Sequence, residues 1–229
     1  MLQRLQQDGS ELTPVQISQF SNLNSAEIQS LKSYWNAVSL GHRYQIVVTL
    51  VNMAEEDPSL DFNAVFTLCL RDSDESVRCQ AISGLWECEE RTLIKVLIDL
   101  MHRDPSIEVR ATAAIGLGRF STLAVEGKLL DKDAQVLQDA LLEVIDDTDY
   151  TIEVYRRALE AIAPFNTTKI QQCIEKAYGT EKRELQCSAV YAMGKSCDNR
   201  WLDILLNELQ NDDASIRYEA AQACGELGD

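Results

Sequence analysis

The sequence predicts an all-α protein, a right-handed α-solenoid (an α-α superhelix) of about six helical hairpins. Five segments share one pattern: an aliphatic residue, a polar residue, two variable residues, Ala, three variable residues and an apolar residue. They cover 77–85, 109–117, 154–162, 185–193 and 216–224. A looser copy at 42–50 precedes them, with Ile46 in place of the Ala. Successive copies are separated by 35, 32, 45, 31 and 31 residues. Such a period is typical of solenoids, whose units bury their apolar faces against neighbouring units.

Each predicted unit consists of two helices joined by a short polar turn. The first helix is strongly apolar and is predicted over 62–70, 93–101, 136–145, 170–178 and 201–209. The turn is often acidic, and its Asp and Ser residues are expected to cap the helix that follows. The shared pattern is the second helix. Its positions one, five and nine lie one turn apart, so we expect them to point inward, with the small Ala allowing close helix approach.

The organisation along the chain follows from these segments. Residues 1–24 are rich in Gln, Ser and Asn and are predicted to form an N-terminal arm or cap. The repeat array is predicted over 25–229, with Ser25 capping its first helix. The 45-residue step predicts an insertion at 121–132, and insertions in solenoids are often used for binding. No polar capping repeat precedes Asp229, so we expect the array to be truncated there. The approximate units are 25–56, 59–90, 91–122, 133–165, 167–197 and 199–229.

The charge argues against a nucleic-acid-binding protein. Lys and Arg number 21 against 37 Asp and Glu, which gives a net charge of −16. Affinity for nucleic acid is largely built from Lys and Arg contacts to phosphate, and no basic run is present. One interpretation of the acidity is that it keeps the exposed faces soluble. The more specific interpretation is that it steers a partner with a basic surface towards the protein.

Cysteine usage and the N-terminus indicate a cytoplasmic protein. The seven cysteines are scattered without a Cys-x-x-Cys pair, which favours small apolar side chains in a reducing compartment over a disulfide framework. With two histidines, no metal site is predicted. The first residues lack the apolar core of a signal peptide, and no apolar run is long enough to be a transmembrane segment.

The acidic turn, the Val-Arg-x-x-Ala start and the Leu-Gly or Met-Gly finish of the second helix resemble HEAT repeats. The match is closest to the short bacterial type that also occurs in phycobilisome lyase subunits, and it covers about 25–229. The resemblance implies that turn aspartates and second-helix arginines form a structural ladder between neighbouring units. The predicted ladder lapses at Tyr155 and Gln186. Its members would be Asp72, Asp74, Arg78, Asp104, Arg110, Asp212, Asp213 and Arg217.

Some enzymes have HEAT-like folds, and the residues that their chemistry requires can be sought in this sequence. Deoxyhypusine hydroxylase uses repeated His-Glu pairs as iron ligands, whereas both histidines here, His42 and His102, precede Arg. HEAT-like DNA glycosylases need a cationic groove, which the charge contradicts. No phosphate-binding loop and no Gly-x-Ser-x-Gly is present. We therefore predict no catalytic residue, no cofactor and no metal, while the lyase resemblance leaves open a subunit that grips a bilin.

In HEAT arrays the second helices line the binding face, so the outward positions of the pattern are the candidate contacts. Tyr and Trp at such positions are common interface anchors, and the alternative is packing against neighbouring helices or the N-terminal arm. The candidate partner-binding residues are Tyr44, Trp86, Glu87, Arg119, Arg156, Glu160, Tyr191, Lys195 and Tyr218.

These observations predict a non-catalytic scaffold or adaptor that binds another protein, one with a basic or aromatic-seeking surface, on the face of the second helices. The alternative is a lyase-like or chaperone-like subunit that assists bilin or cofactor attachment. A third interpretation is a structural segment of a larger multidomain chain.

Overall fold

The computed structural model describes residues 13–228, and all regular structure in that range is helical. The predicted all-α fold of helical pairs is therefore confirmed for this part of the chain. The chain divides into two compact units between Cys88 and Glu89. No helix among the described residues is long and apolar enough to cross a membrane.

The first unit begins with a short helical segment and continues with two pairs of helices. The segment is α1 (Pro14–Ile17) with a 3-10 turn (Ser18–Phe20), and the pairs are α2 (Ser25–Trp35) with α3 (Leu40–Glu56) and α4 (Asn63–Cys69) with α5 (Glu75–Gly84). Phe20 is fully buried with Leu31, Leu50 and Phe66. The described part of the predicted arm thus contributes a core residue; residues 1–12 lie outside the described range.

The start of α2 differs by one residue from the prediction. Asn24, rather than Ser25, is the N-cap: its side chain accepts hydrogen bonds from the amides of Ala26 and Glu27. The Glu27 carboxylate accepts from the Asn24 amide in return, at 2.9 Å. This reciprocal arrangement is a capping box, which satisfies three otherwise unpaired amides.

The second unit contains four helical pairs. They are α6 (Thr92–Arg103) with α7 (Ile107–Val125), α8 (Asp131–Asp146) with α9 (Ile152–Ile162), α10 (Thr168–Tyr178) with α11 (Arg183–Lys195), and α12 (Leu202–Glu208) with α13 (Ala214–Leu227). Two 3-10 turns, Ala163–Phe165 and Asn199–Trp201, follow α9 and precede α12. The predicted pattern segments lie in the second helix of each pair.

The inward positions of the five pattern segments are buried as predicted, apart from Cys224 at position nine of the last segment, which is half-buried. The alanines at position five are fully buried in α5, α7, α9, α11 and α13: Ala81, Ala113, Ala158, Ala189 and Ala220. The turns also cap the second helices as expected. Asp74, Ser106 and Asp213 accept hydrogen bonds from the amides of the first turn of α5, α7 and α13.

The predicted insertion at 121–132 is mostly helix. Residues 121–125 continue α7 and residues 131–132 begin α8, so the connection is only 126–130. The helix continues because Ser121 and Leu123 are buried. It ends in a Schellman motif: Gly127 adopts a φ of 73°, and the Lys128 amide donates to the Leu123 carbonyl at 2.9 Å.

Candidate partner-binding face of the second helices

A groove lies across three second helices of the second unit, α7, α9 and α11, and encloses about 190 Å³. Four of the nine predicted contact residues line it together, Arg119, Glu160, Tyr191 and Lys195. They come from positions seven and eleven of the pattern, which recur on the same side of successive second helices. We call this the second-helix groove; its remaining lining residues are Ile115, Gly118, Thr122, Arg157, Ala161 and Pro164.

The floor of the groove is apolar and consists of small residues. Gly118 on α7 approaches Ala161 on α9 so closely that a Cβ on the glycine would lie 3.5 Å from the Ala161 Cα. Pro164 continues the floor, and Ile115 stands at the edge with about half of its side chain exposed. An exposed β-branched apolar side chain beside such a floor can bury area against a partner.

Two cations stand at opposite sides of the groove, each held by one carboxylate. Arg119 donates to Glu89 and Lys195 donates to Glu226, both at 2.5 Å. The Lys195 ammonium also lies 5.4 Å from the centre of the Tyr191 ring, within the range of a cation–π contact. Burial alone would lower the pKa of Lys195, but the hydrogen bond to Glu226 and the charges nearby raise it, so the side chain is a cation at neutral pH.

A denser polar cluster on α9 forms part of the wall of the groove. Arg157 donates to Glu160 at 2.8 Å and Arg156 donates to Glu153 at 2.6 Å. Ser188 on α11 donates to the other Glu160 oxygen at 2.5 Å. Burial works against ionisation of Glu153, yet the hydrogen bonds and charges of the two arginines lower its pKa below the usual value. Arg156 and Glu160 are therefore tied into a network that fixes the wall of the groove.

Glu219 on α13 lies near this cluster and is less well accommodated. Its Oε2 is buried without a hydrogen-bond partner in the structure. Burial, and then the negative charge of Glu160, raise the pKa of the Glu219 carboxyl. A raised carboxyl pKa and an unpaired oxygen mark Glu219 as a destabilising contact at neutral pH.

The other predicted contact residues are not in the groove. In the first unit, Tyr44 on α3 and Trp86 and Glu87 after α5 are exposed, Trp86 by 54%. In the second unit, Tyr218 on α13 is 60% exposed, and its hydroxyl accepts from Gln222. Partner contact by these residues stays a prediction.

Asp72 is the centre of the ladder contacts in the first unit. Its Oδ2 accepts from the Trp35 indole at 2.6 Å and lies 3.3 Å from Arg43 Nε. Its carbonyl accepts from Arg78 at 2.8 Å, and its Oδ1 accepts from the Asp74 amide. All of these groups are buried or half-buried, so Asp72 joins the two helical pairs of the unit.

In the second unit, the ladder residues bind mainly the backbone of the turns. Arg110 donates to the Met101 carbonyl at 3.0 Å and stacks 4.6 Å from the centre of the Tyr150 ring. Arg217 donates to the carbonyls of Asn211 and Asp212. Asp104 accepts from the Ser106 amide, and Asp213 pairs with Arg183 of the preceding pair.

Sequence reasoning missed two residues of this region. Arg157 lines the groove but occupies position four of the pattern; its signal is the Glu153-to-Arg157 spacing of one helical turn. Gln186, assigned to a lapse of the ladder, donates to the Thr180 carbonyl at 2.7 Å. It therefore performs for its own turn what Arg78 and Arg217 perform for theirs.

No cluster of His, Cys, Asp and Glu side chains in the described range has the arrangement of a metal site. Elsewhere, a histidine contacts a tyrosine: His102 Nδ1 is 2.6 Å from the Tyr150 hydroxyl. Burial, as the largest influence, lowers the pKa of His102. Since Arg110 stacks on the same tyrosine, this group serves as a contact between two helical pairs.

Comparison with known proteins identifies related sequences and folds. The family model for HEAT repeats matches residues 62–148 and 138–225. No curated protein sequence matches the chain. Among solved structures, the complex of CpcE and CpcF of phycocyanin lyase from Nostoc sp. PCC7120 is similar with a TM-score of 0.65 and 18% identity, over 97% of this chain and 80% of that chain. A designed armadillo repeat protein has a TM-score of 0.46 and 19% identity, over 93% of this chain and 98% of that chain.

Proposed function

We propose that this chain, which belongs to the HEAT-repeat family, is a non-catalytic scaffold or adaptor that binds a partner protein in the second-helix groove. The observation that carries the proposal is the convergence of Arg119, Tyr191 and Lys195 around an apolar floor. Arg119 belongs to α7, whereas Tyr191 and Lys195 belong to α11, so these side chains come together only through the packing of the helices.

The groove has the composition of an anchoring point. Tyr and Arg are enriched among residues that carry binding energy, and an apolar centre with a polar rim is the usual anatomy of an interface. The cations at its edge are held by single, exposed ion pairs, which are each worth about 0–1 kcal/mol and are easily exchanged for contacts to a partner. The hydrogen bonds that Arg157 and Ser188 donate to Glu160 hold this wall of the groove in place during that exchange.

Site-specific photocrosslinking in cells of the source organism tests the proposal. A photoreactive residue replaces Ile115 at the edge of the groove, and in the control it replaces Val136, which is similarly exposed on α8. We expect a protein crosslinked from position 115 and not from position 136.

The captured protein is then tested with charge reversals. Arg119→Glu is expected to lower its affinity at least tenfold, because one groove cation is lost and a carboxylate faces Glu89. The matched control is Arg103→Glu, which breaks a comparable exposed pair with Asp99 away from the groove. Equal losses from the two reversals, or crosslinks of equal strength from both positions, contradict the proposal.

A second candidate is a lyase-like subunit that assists attachment of a bilin. It is favoured by the same groove, since a cationic edge over an apolar floor suits a flat apolar ligand with carboxylates, and by the fold similarity to a phycocyanin lyase complex. Incubation of the protein with a bilin and an apo-acceptor separates the candidates. A stable shift in visible absorbance on the acceptor, lost in Arg119→Glu, would favour the lyase-like subunit, and an unchanged spectrum would exclude it.

A further inference from the structure

A second cavity lies between the pair α10–α11 and the pair α12–α13, and it shares no lining residue with the second-helix groove. It encloses about 220 Å³ and is formed by the end of α10, the start of α11 and the turn between α12 and α13. We call it the Glu208 pocket, after its buried carboxylate. Its lining residues are Tyr178, Gly179, Gln186, Glu208, Asn211 and Ile216.

The carboxylate of Glu208 is buried without a counterion. Only 6% of the residue is exposed. One of its oxygens accepts from the Tyr178 hydroxyl and the other from the Asn211 side-chain amide, both at 2.5 Å. These two donors are neutral, and no basic side chain among the described residues forms an ion pair with Glu208. A buried carboxylate normally has a cationic partner, because the desolvation of an unpaired charge is unfavourable.

The pKa of Tyr178 supports this description of the hydrogen bond. Burial, and then the hydrogen bond to Glu208 and its negative charge, raise the pKa of Tyr178 to about 12. The hydroxyl therefore remains protonated at neutral pH and donates to the carboxylate. It satisfies one oxygen of Glu208 but brings no positive charge.

The first unit contains a complete version of this contact between two helical pairs. Trp35, the last residue of α2, donates through its indole to the buried Asp72 carboxylate of the next pair at 2.6 Å. The Nε atom of Arg43, at position two of α3, lies 3.3 Å from the same carboxylate oxygen. In the second unit, Arg110 at position two of α7 also reaches the next pair, where it stacks on Tyr150. A guanidinium group at position two therefore contacts the following pair in both units.

At the Glu208 pocket, the aromatic donor and the carboxylate occur without a guanidinium group from the described residues. Tyr178 is the last residue of α10 and donates to Glu208 in the next pair, as the indole does in the first unit. Position two of α11 is Gln186, a neutral side chain that donates to the Thr180 carbonyl. Arg217, at position two of α13, donates to the carbonyls of its own turn. The cavity is thus lined by the carboxylate and by the position whose equivalent in α3 carries the cation.

The chemistry of the pocket favours a ligand that donates hydrogen bonds. The donor groups of Tyr178, Asn211 and Gln186 are already hydrogen-bonded, whereas the Glu208 oxygens each use one of their acceptor positions. A guanidinium group has N–H donors only, in a planar fork that matches a carboxylate. The buried Ile216 side chain and the Tyr178 ring offer apolar surface to its aliphatic stem. At about 30 Å³ for each water molecule, the cavity has room for roughly seven, which is more than a single ammonium group needs.

We propose that the Glu208 pocket binds a guanidinium group, for which the Glu208 carboxylate is the counterion. An arginine side chain of another polypeptide and free arginine present the same group, and the measurements below separate these two sources. The inference does not depend on partner binding in the second-helix groove, because the two sites share no lining residue. Either can fail without the other.

Titration of the full chain with ethylguanidinium tests the site directly. The methyl signals of Ile216, which is buried in the wall of the pocket, are followed by nuclear magnetic resonance in low-salt buffer. We expect a saturable shift, and we expect Glu208→Gln to weaken the affinity at least about tenfold, because the counterion is lost. Asp212→Asn is the matched control: it removes an exposed carboxylate of the same turn that does not line the pocket, and it keeps the affinity. The absence of a saturable shift, or equal affinity in Glu208→Gln, overturns the proposal.

A guanidinium group supplied by the chain itself provides an independent test. Gln186→Arg places an arginine at position two of α11, where it can donate to the Thr180 carbonyl and also reach Glu208. We expect the thermal midpoint to rise by about 2–4 °C and the binding of ethylguanidinium to be lost. In the Glu208→Gln background the same change is expected to give no rise, which makes a double-mutant cycle. A rise that persists in that background, or a Gln186→Arg protein that still binds the probe, overturns the proposal.

Three further probes identify the ligand. Ethylammonium carries the same charge without the planar fork and is expected to bind at least about fivefold more weakly than ethylguanidinium; equal affinity would overturn the choice of a guanidinium group. Nα-acetyl-arginine N-methylamide represents an arginine within a polypeptide, and L-arginine represents the free amino acid. Tighter binding of the first supports an arginine side chain of another polypeptide, and tighter binding of the second supports free arginine. If neither competes with ethylguanidinium, the proposal is overturned.

Discussion

Replacement of Gly194 by alanine isolates the contact that sets the spacing of α11 and α13. A Cβ at this position would lie 2.7 Å from both the Cα and the Cβ of Ala223. The obstacle includes backbone, so no side-chain rotation relieves the overlap. The two helices would have to separate by roughly 0.7 Å to reach ordinary van der Waals contact.

The expected cost follows from two opposing contributions. Overpacking of a well-packed interface costs about 1–3 kcal/mol. Alanine regains up to about 1 kcal/mol of helix propensity relative to glycine, and less here because Gly194 is next to the last residue of α11. The overlap is larger than the propensity gain, so we expect Gly194→Ala to lower the unfolding free energy by about 1–2 kcal/mol. In a chain of this size, that corresponds to a fall of about 2–8 °C in the thermal midpoint.

A graded series provides the assay, with unfolding followed by circular dichroism in urea and on heating. Gly118→Ala meets Ala161 at 3.5 Å, an ordinary contact, and is expected to be neutral or slightly stabilising. Gly225→Ala meets nothing and is expected to gain stability from helix propensity alone. A Gly194→Ala protein as stable as the Gly118→Ala protein would refute the argument that the Gly194–Ala223 contact sets the helix spacing.

Three further outcomes follow from the polar contacts. Asp72→Asn leaves the buried Arg43 guanidinium without its carboxylate and is expected to destabilise the protein by about 3–5 kcal/mol in urea titrations; a loss below 1 kcal/mol would contradict this. Gln186→Ala removes a donor to the Thr180 carbonyl and is expected to cost about 1 kcal/mol by the same measurement, whereas no change would show that water replaces it. Glu219 has a folded-state pKa above its unfolded value, so its favourable contribution is present below pH 4.5 and is lost as pH rises through the folded pKa. Glu219→Gln is therefore expected to raise the midpoint at pH 7 and to have no effect near pH 4; stabilisation equal at both values would point to a cause other than ionisation.

The helices were predictable because their signals are local. The period of the pattern, the apolar first helices and the capping side chains all lie within a few residues of the element they define. The helical content of the insertion at 121–132 was not predictable, for the opposite reason. Ser121 and Leu123 carry no strong local signal, and burial against neighbouring helices makes them a continuation of α7. Asn24 was missed as a cap because Ser25 has a similar propensity one residue later.

The groove was only half predictable. Positions seven and eleven could be chosen as outward from the period of an α-helix, which found Arg119, Tyr191 and Lys195. Their convergence in one groove depends on the distances between three packed helices. The period of a pattern within one sequence does not predict those distances. Arg157 was missed because position four was treated as variable, although its distance from Glu153 is that of a helical ion pair.

Position two of the pattern shows why a departure from a repeat consensus is a poor guide to function. Arg78, Gln186 and Arg217 each donate a hydrogen bond to a carbonyl six residues earlier, at 2.7–2.8 Å. The carbonyls belong to turns that end a first helix, where backbone acceptors lack an intrahelical partner. The requirement is an N–H donor of sufficient reach, and charge is secondary, so glutamine replaces arginine without a structural break. The change at Gln186 therefore has a structural explanation and does not by itself indicate a binding site. The residues that we propose to bind a partner protein are at positions seven and eleven instead, and the guanidinium site is inferred from the unpaired charge of the buried Glu208 carboxylate.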